Sequence, residues 1–216
     1  MRGSNVALGL ALTLGVAPLS AQRPSTDEFE AAVSAAQSEA QALGLRLRTD
    51  ARWLRNLRSR APMMSALSAG DCHIVYNPDA PRVGSNDLFP PLTSGDREAW
   101  LGGVIRHELA HCADQQDRGS GADVPAVARD KGRGREVMGD LAFALHVARQ
   151  APEGRNLVVR LAEVRAAHGA DDPEHDTASA LRCYLADVNS APRAEGTWVA
   201  MLRKWKRRCF DSEPVN

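Results

Sequence analysis

Three observations predict a mostly helical α+β protein. Ala, Leu and Arg are abundant while aromatic residues make up only 5% of the chain, a composition that favours helix. Helix start signals and helical spacing of apolar residues recur over 135–150, 154–168, 176–189 and 195–210. One short stretch, Cys72-His73-Ile74-Val75-Tyr76, has the β-branched and aromatic character of a strand. With 44% hydrophobic and 25% charged residues in 216, the chain can bury a real core and is sized for one domain. The 27 basic and 27 acidic residues cancel, so the basic excess typical of a nucleic-acid binder is missing and no nucleic-acid partner is expected.

The elements follow in order. Residues 1–21 read as a secretory signal peptide. Met1-Arg2 supply a basic start, Val6 to Val16 form an uncharged run, and Pro18-Leu19-Ser20-Ala21 end it with small residues. The apolar run is too short for the ~20 residues that span a bilayer. Cleavage after Ala21 would leave 22–216 as a single exported domain, periplasmic or secreted, with no stable membrane insertion. Ser25 and Glu28 then form a capping box before an Ala-rich helix that ends near Gly44. Residues 45–69 mix alternating and helical spacing. Four prolines mark 77–95 as a long loop, and a helix opens near Ser94 to Asp96 and runs past His111. Residues 118–134, rich in Gly, read as a second loop before the C-terminal helices.

Export also governs the cysteines. Cys72, Cys112, Cys183 and Cys209 are even in number, so an oxidising compartment implies two disulfides, with all three pairings open. No C-x-x-C is present, which argues against a redox motif or a zinc ribbon.

The sharpest chemical signal is His107-Glu108-Leu109-Ala110-His111, an H-E-x-x-H expected on a helix. Residues four apart share a helical face, so both imidazoles can reach one ion, while Glu108 is placed to take a proton from water. Given 6 histidines in the chain, chance yields roughly 0.01 such matches. A catalytic zinc needs a third protein ligand. Glu136-Val137-Met138-Gly139-Asp140, an E-x-x-x-D downstream of His111, resembles the gluzincin pattern of thermolysin-like metallopeptidases. The resemblance covers about residues 100–140. It implies a zincin-like fold with a small edge-strand sheet, one zinc ion on His107, His111 and Glu136, and Asp140 bonded to the far nitrogen of His107. It also implies a histidine beyond the third ligand that stabilises the oxyanion, and His175 is the residue in that position.

Other assignments compete. Continuing the motif to Asp117 resembles the metzincin extension and would make Asp117 the third ligand, but Asp114 stands where that family has glycine. His146 falls ten residues after Glu136 and faces elsewhere on its helix. Tyr184 is a second candidate electrophile, and Asp176-Thr177 beside His175 also reads as a helix cap. The strand 72–76 reads either as an edge strand for pairing with an extended substrate or as an ordinary interior strand. A Cys72–His73 nucleophile pair is excluded because neighbours on a strand point to opposite faces. The basic run Arg203 to Arg208 reads as a solvated face over inward Trp198, Leu202 and Trp205. Gly132-Arg133-Gly134 lacks the rest of a phosphate loop, and no G-x-S-x-G occurs. The sequence therefore predicts an exported zinc metallopeptidase acting on peptide or protein substrates, with a non-catalytic exported metal-binding or interaction protein as the alternative.

Overall fold

The computed structural model describes residues 23–48, 62–80, 89–119, 128–150, 153–187 and 198–211. The expected signal peptide and its cleavage site lie outside them, as do Trp53, Leu54 and Leu57. In chain order the elements are α1 (Thr26–Ala35), α2 (Gln37–Ala42), β1 (Arg46–Arg48), β2 (Met63–Ser68), β3 (Asp71–Tyr76), α3 (Ser94–Gly119), α4 (Ala128–Gln150), α5 (Gly154–His168), a 3-10 turn (Pro173–His175), α6 (Ala178–Asp187) and α7 (Trp198–Cys209). The described residues are mostly helical with one small sheet, as the composition predicts.

Local signals account for the N-terminal half. Ser25 accepts from the Glu28 amide at 3.2 Å and Glu28 returns the bond to the Ser25 amide at 2.6 Å, closing the capping box. Phe29, Val33, Ala36 and Ala40 are buried, an apolar stripe at spacings of three and four that holds α1 and α2 to the core. The ambiguous 45–69 region contributes two strands. The sheet order is β1-β3-β2, with β1 parallel and β2 antiparallel to β3. A two-residue turn joins β2 to β3, and both of its residues, Ala69 (φ 50°) and Gly70 (φ 80°), are left-handed, as a tight hairpin requires. The predicted strand 72–76 is therefore central, because its near-continuous apolar side chains are buried on both faces. Among the described strands the edges are β1 and β2.

α3 opens at Thr93, whose hydroxyl accepts from the Asp96 amide at 3.3 Å, and it is buried all round from Leu101 to Ala113. α4 packs along it. The contacts Gly103–Phe143, His107–Asp140 and His111–Glu136 run in opposite numerical order on the two helices, so α3 and α4 are antiparallel. Where the sequence predicts a loop to residue 134, α4 already begins at Ala128. Gly132 and Gly134 lie within that helix because the chain is backed there by the 3-10 turn and α7, Gly132 against Glu174 and Gly134 against Lys206 and Phe210. This placement also removes any phosphate-loop role for Gly132-Arg133-Gly134. The helix predicted over 176–189 begins at Ala178, since Pro173 nucleates a separate 3-10 turn.

Two disulfides brace these layers. Cys72–Cys112 ties central strand β3 to α3, and Cys183–Cys209 ties α6 to α7. In α7, Met201, Leu202, Trp205 and Cys209 are buried while Arg203, Lys204, Arg207 and Arg208 are exposed, so the basic run is the solvated face of an amphipathic helix. No described helix is long and apolar enough to cross a membrane. The two disulfides fit an oxidising, non-cytoplasmic compartment.

Candidate metal centre

The centre arises from two four-residue steps on antiparallel helices. His107 and His111 occupy one face of α3, and Glu136 and Asp140 occupy the facing side of α4. Because the helices run oppositely, His111 meets Glu136 and His107 meets Asp140. The Nε2 atoms of the two histidines stand 2.9 Å apart. Glu136 Oε2 is 3.3 Å from His107 Nε2, and its Oε1 is 3.4 Å from His111 Nε2. Among the described residues, His107, His111 and Glu136 form a group of donor atoms all within 4.8 Å of one another. Both histidines and Asp140 are buried.

Asp140 holds the far side of His107. Its Oδ1 accepts from His107 Nδ1 at 2.9 Å, which leaves Nε2 directed at Glu136 and His111. The same carboxylate takes Nε and Nη2 of Arg165 at 2.8 and 2.9 Å and the hydroxyl of Thr177. One carboxylate thus joins α3, α5 and the segment that carries His175.

Charge follows this geometry. Burial works to lower the His107 pKa, but the hydrogen bonds and charges of Asp140 and Glu136 outweigh it and raise it to about 10. Burial and the neighbouring His107 charge drive His111 down to about 3, so it stays neutral. Burial works to raise Glu136, yet its hydrogen bond to His107 and the His107 charge outweigh that and bring it to about 2. Asp140 is held well below the carboxylate range by Arg165 and His107 against its own burial. Without an ion, then, a doubly protonated His107 gives Nδ1–H to Asp140 and Nε2–H to Glu136 and His111. The buried Nδ1 of His111 has no hydrogen-bond partner.

Glu108 is 4% exposed and lies next to His107, with its pKa pushed up by burial and drawn back by the charge of His107 and the Ser65 hydroxyl of β2. Ser65 Oγ favours the ionised Glu108 while standing outside hydrogen-bond geometry with any partner. His175 Nε2 is 3.3 Å from Glu136 Oε2, and Asp172 Oδ2 lies 2.8 Å from its Nδ1. The segment around it is pinned to α4 by Arg133, which donates to the Asp176 carbonyl at 2.7 Å and to Ser179 Oγ at 3.2 Å.

The remaining candidates fall elsewhere. α3 continues without a break through Gly119, so the turn at Asp114 that the metzincin extension requires is absent; the Asp117 side chain lies outside the described residues. His146 faces Gly102 on the α3–α4 seam, outside the group of His107, His111 and Glu136, and burial lowers it to about 4. Tyr184 is buried edge-to-face on Trp205 at 5.0 Å and belongs to the α6–α7 core. Four contributors escaped sequence reasoning: Ser65, Arg165, Asp172 and Thr177. Only Arg165 leaves a readable signal. It sits on the buried stripe of Leu157, Val158, Leu161 and Ala162, where a cation requires a buried partner.

No family model, no curated protein and no solved structure matches this chain.

Proposed function

We propose that the protein is an exported zinc-dependent metallopeptidase with a zincin-like arrangement of edge strand and H-E-x-x-H helix. The observation that carries this reading is the convergence of His107, His111 and Glu136, with Asp140 fixing the tautomer of His107. Two imidazoles and one carboxylate form the donor set of an open zinc site. The two imidazole Nε2 atoms, 2.9 Å apart, and the Glu136 carboxylate beside both converge on one point that an ion can occupy. Zinc bound there supplies a Lewis acid that polarises a carbonyl and lowers the pKa of water towards about 7.

The chain's own residues do the rest. Glu108 takes the proton of the attacking water and passes it to the leaving amine. Its burial raises its basicity and excludes competing water. His175 donates Nε2–H to the carbonyl oxygen as charge develops. The substrate lies along β2. Leu67 N–H leaves the sheet to reach Gln115 Oε1 at 3.2 Å, and the Pro62 carbonyl accepts from Asn77 on the β3 side. By strand alternation, the backbone groups of Met63 and Ser65 also face away from β3, beside Glu108, where an extended peptide adds as a further strand.

A second reading, a non-catalytic metal-binding protein, draws on the same His175. Its Nε2 at 3.3 Å from Glu136 offers a fourth donor, and closed four-ligand sites are structural. Two variants separate the readings. Glu108→Gln retains zinc and loses peptide hydrolysis if the enzyme reading holds, while a wild type without activity and with a zinc content that depends on His175 supports the second. His175→Ala keeps its zinc and a residual activity reduced by about 10²–10³ in turnover if His175 is the oxyanion donor.

A further inference from the structure

Glycine is the least favourable residue for a helix interior after proline, yet Gly139 occupies one, beside Asp140 in α4. An ideal Cβ built on Gly139 would lie 2.5 Å from Nδ1, 2.6 Å from Cε1 and 2.8 Å from Cγ of His107. Real side chains do not approach so closely, so something must move, and the imidazole has nowhere to go. Its Nδ1 is tied to Asp140 at 2.9 Å, its Nε2 faces His111 at 2.9 Å and Glu136 at 3.3 Å, and the residue is 4% exposed. A shift away from α4 breaks the Asp140 bond. A rotation swings Nε2 out of the group formed with His111 and Glu136.

We infer that Gly139 is a positioning residue of the metal centre: its missing side chain is the space in which the His107 imidazole turns Nε2 towards the other two ligands. The inference rests on the proposed metal-binding role of His107. It is specific to the imidazole, because the same seam contains a matched control. A Cβ on Gly103 of α3 would meet the Phe143 ring at 2.5 Å, an equally tight contact that involves no ligand.

Zinc affinity, measured by competition with a chromogenic chelator on the full chain, tests the inference alongside circular dichroism of the metal-free proteins. Gly139→Ala should bind zinc about 10–100-fold more weakly than wild type, the range typical of disturbed ligand orientation, whereas Gly103→Ala should keep wild-type affinity. Equal affinity in Gly139→Ala and wild type, or an equal loss in both variants, would overturn it. A double-mutant cycle on metal-free protein covers the case in which Gly139→Ala is destabilised or wild type binds no zinc. If the clash is with the imidazole, the stability lost through Gly139→Ala is recovered in the His107→Ala background. The same loss in both backgrounds refutes the contact. Absence of zinc binding by wild type, with the cycle as expected, refutes the metal reading and leaves the packing role of Gly139 standing.

Discussion

Arg165 and Asp140 meet as a double hydrogen-bonded pair, Nε to Oδ2 at 2.8 Å and Nη2 to Oδ1 at 2.9 Å, with both side chains 1% exposed. The pair sits behind the candidate metal centre and makes Asp140 a fixed anion that His107 can lean on. It also explains how the core tolerates a carboxylate: a buried charge is stable only when it is paired and hydrogen-bonded.

Removing one partner should therefore be costly. Arg165→Met leaves Asp140 with His107 and Thr177 alone, and the metal-free protein should lose about 3–5 kcal/mol of stability in urea unfolding. A loss under about 1 kcal/mol would mean that the carboxylate does not depend on Arg165.

The raised pKa of His107 predicts how the ion enters. In the metal-free protein His107 holds its second proton up to about pH 10, while Glu136 is already ionised and His111 already neutral at pH 7. Zinc must displace the His107 proton, so binding should release about one proton per ion at neutral pH. Affinity should rise about tenfold per pH unit from pH 7 towards 10. Calorimetry of zinc binding in buffers of different ionisation enthalpy measures the release directly, and a value near zero would contradict this protonation state. The same shift has the opposite sign for the metal-free fold. A His raised above its unfolded value of 6.5 stabilises fully below that pH, and its contribution is lost as pH rises through about 10.

The disulfide pairing is open to mapping. Proteolysis without reduction should yield Cys72–Cys112 and Cys183–Cys209 peptides, which close separations of 40 and 26 residues. Replacing Cys72 and Cys112 with Ala should cost about 2–5 kcal/mol. It should also weaken zinc binding more than the equivalent change at Cys183 and Cys209, because Cys112 follows the proposed ligand His111 directly. Recovery of either of the other two pairings would overturn the assignment.

What the sequence determined by itself is whatever a local pattern encodes. The capping box of α1, the helical course of the second half and the four-residue steps within His107-Glu108-Leu109-Ala110-His111 and Glu136-Val137-Met138-Gly139-Asp140 depend on neighbours a few positions apart. A helix turns their spacing into a shared face without help from the rest of the chain. Tertiary structure alone decided the remainder. β3 became central, between β1 and β2, because strand order depends on which surfaces are covered, and residues 128–134 became helix because the 3-10 turn and α7 back them. The cysteine pairing, the approach of His175 to Glu136 and the anchoring of Asp140 by Arg165 and Thr177 all join residues that are distant in sequence. Such contacts leave no period to read, only an occasional anomaly such as a cation on an apolar stripe, since their partners are chosen by packing and by the need to neutralise buried charge.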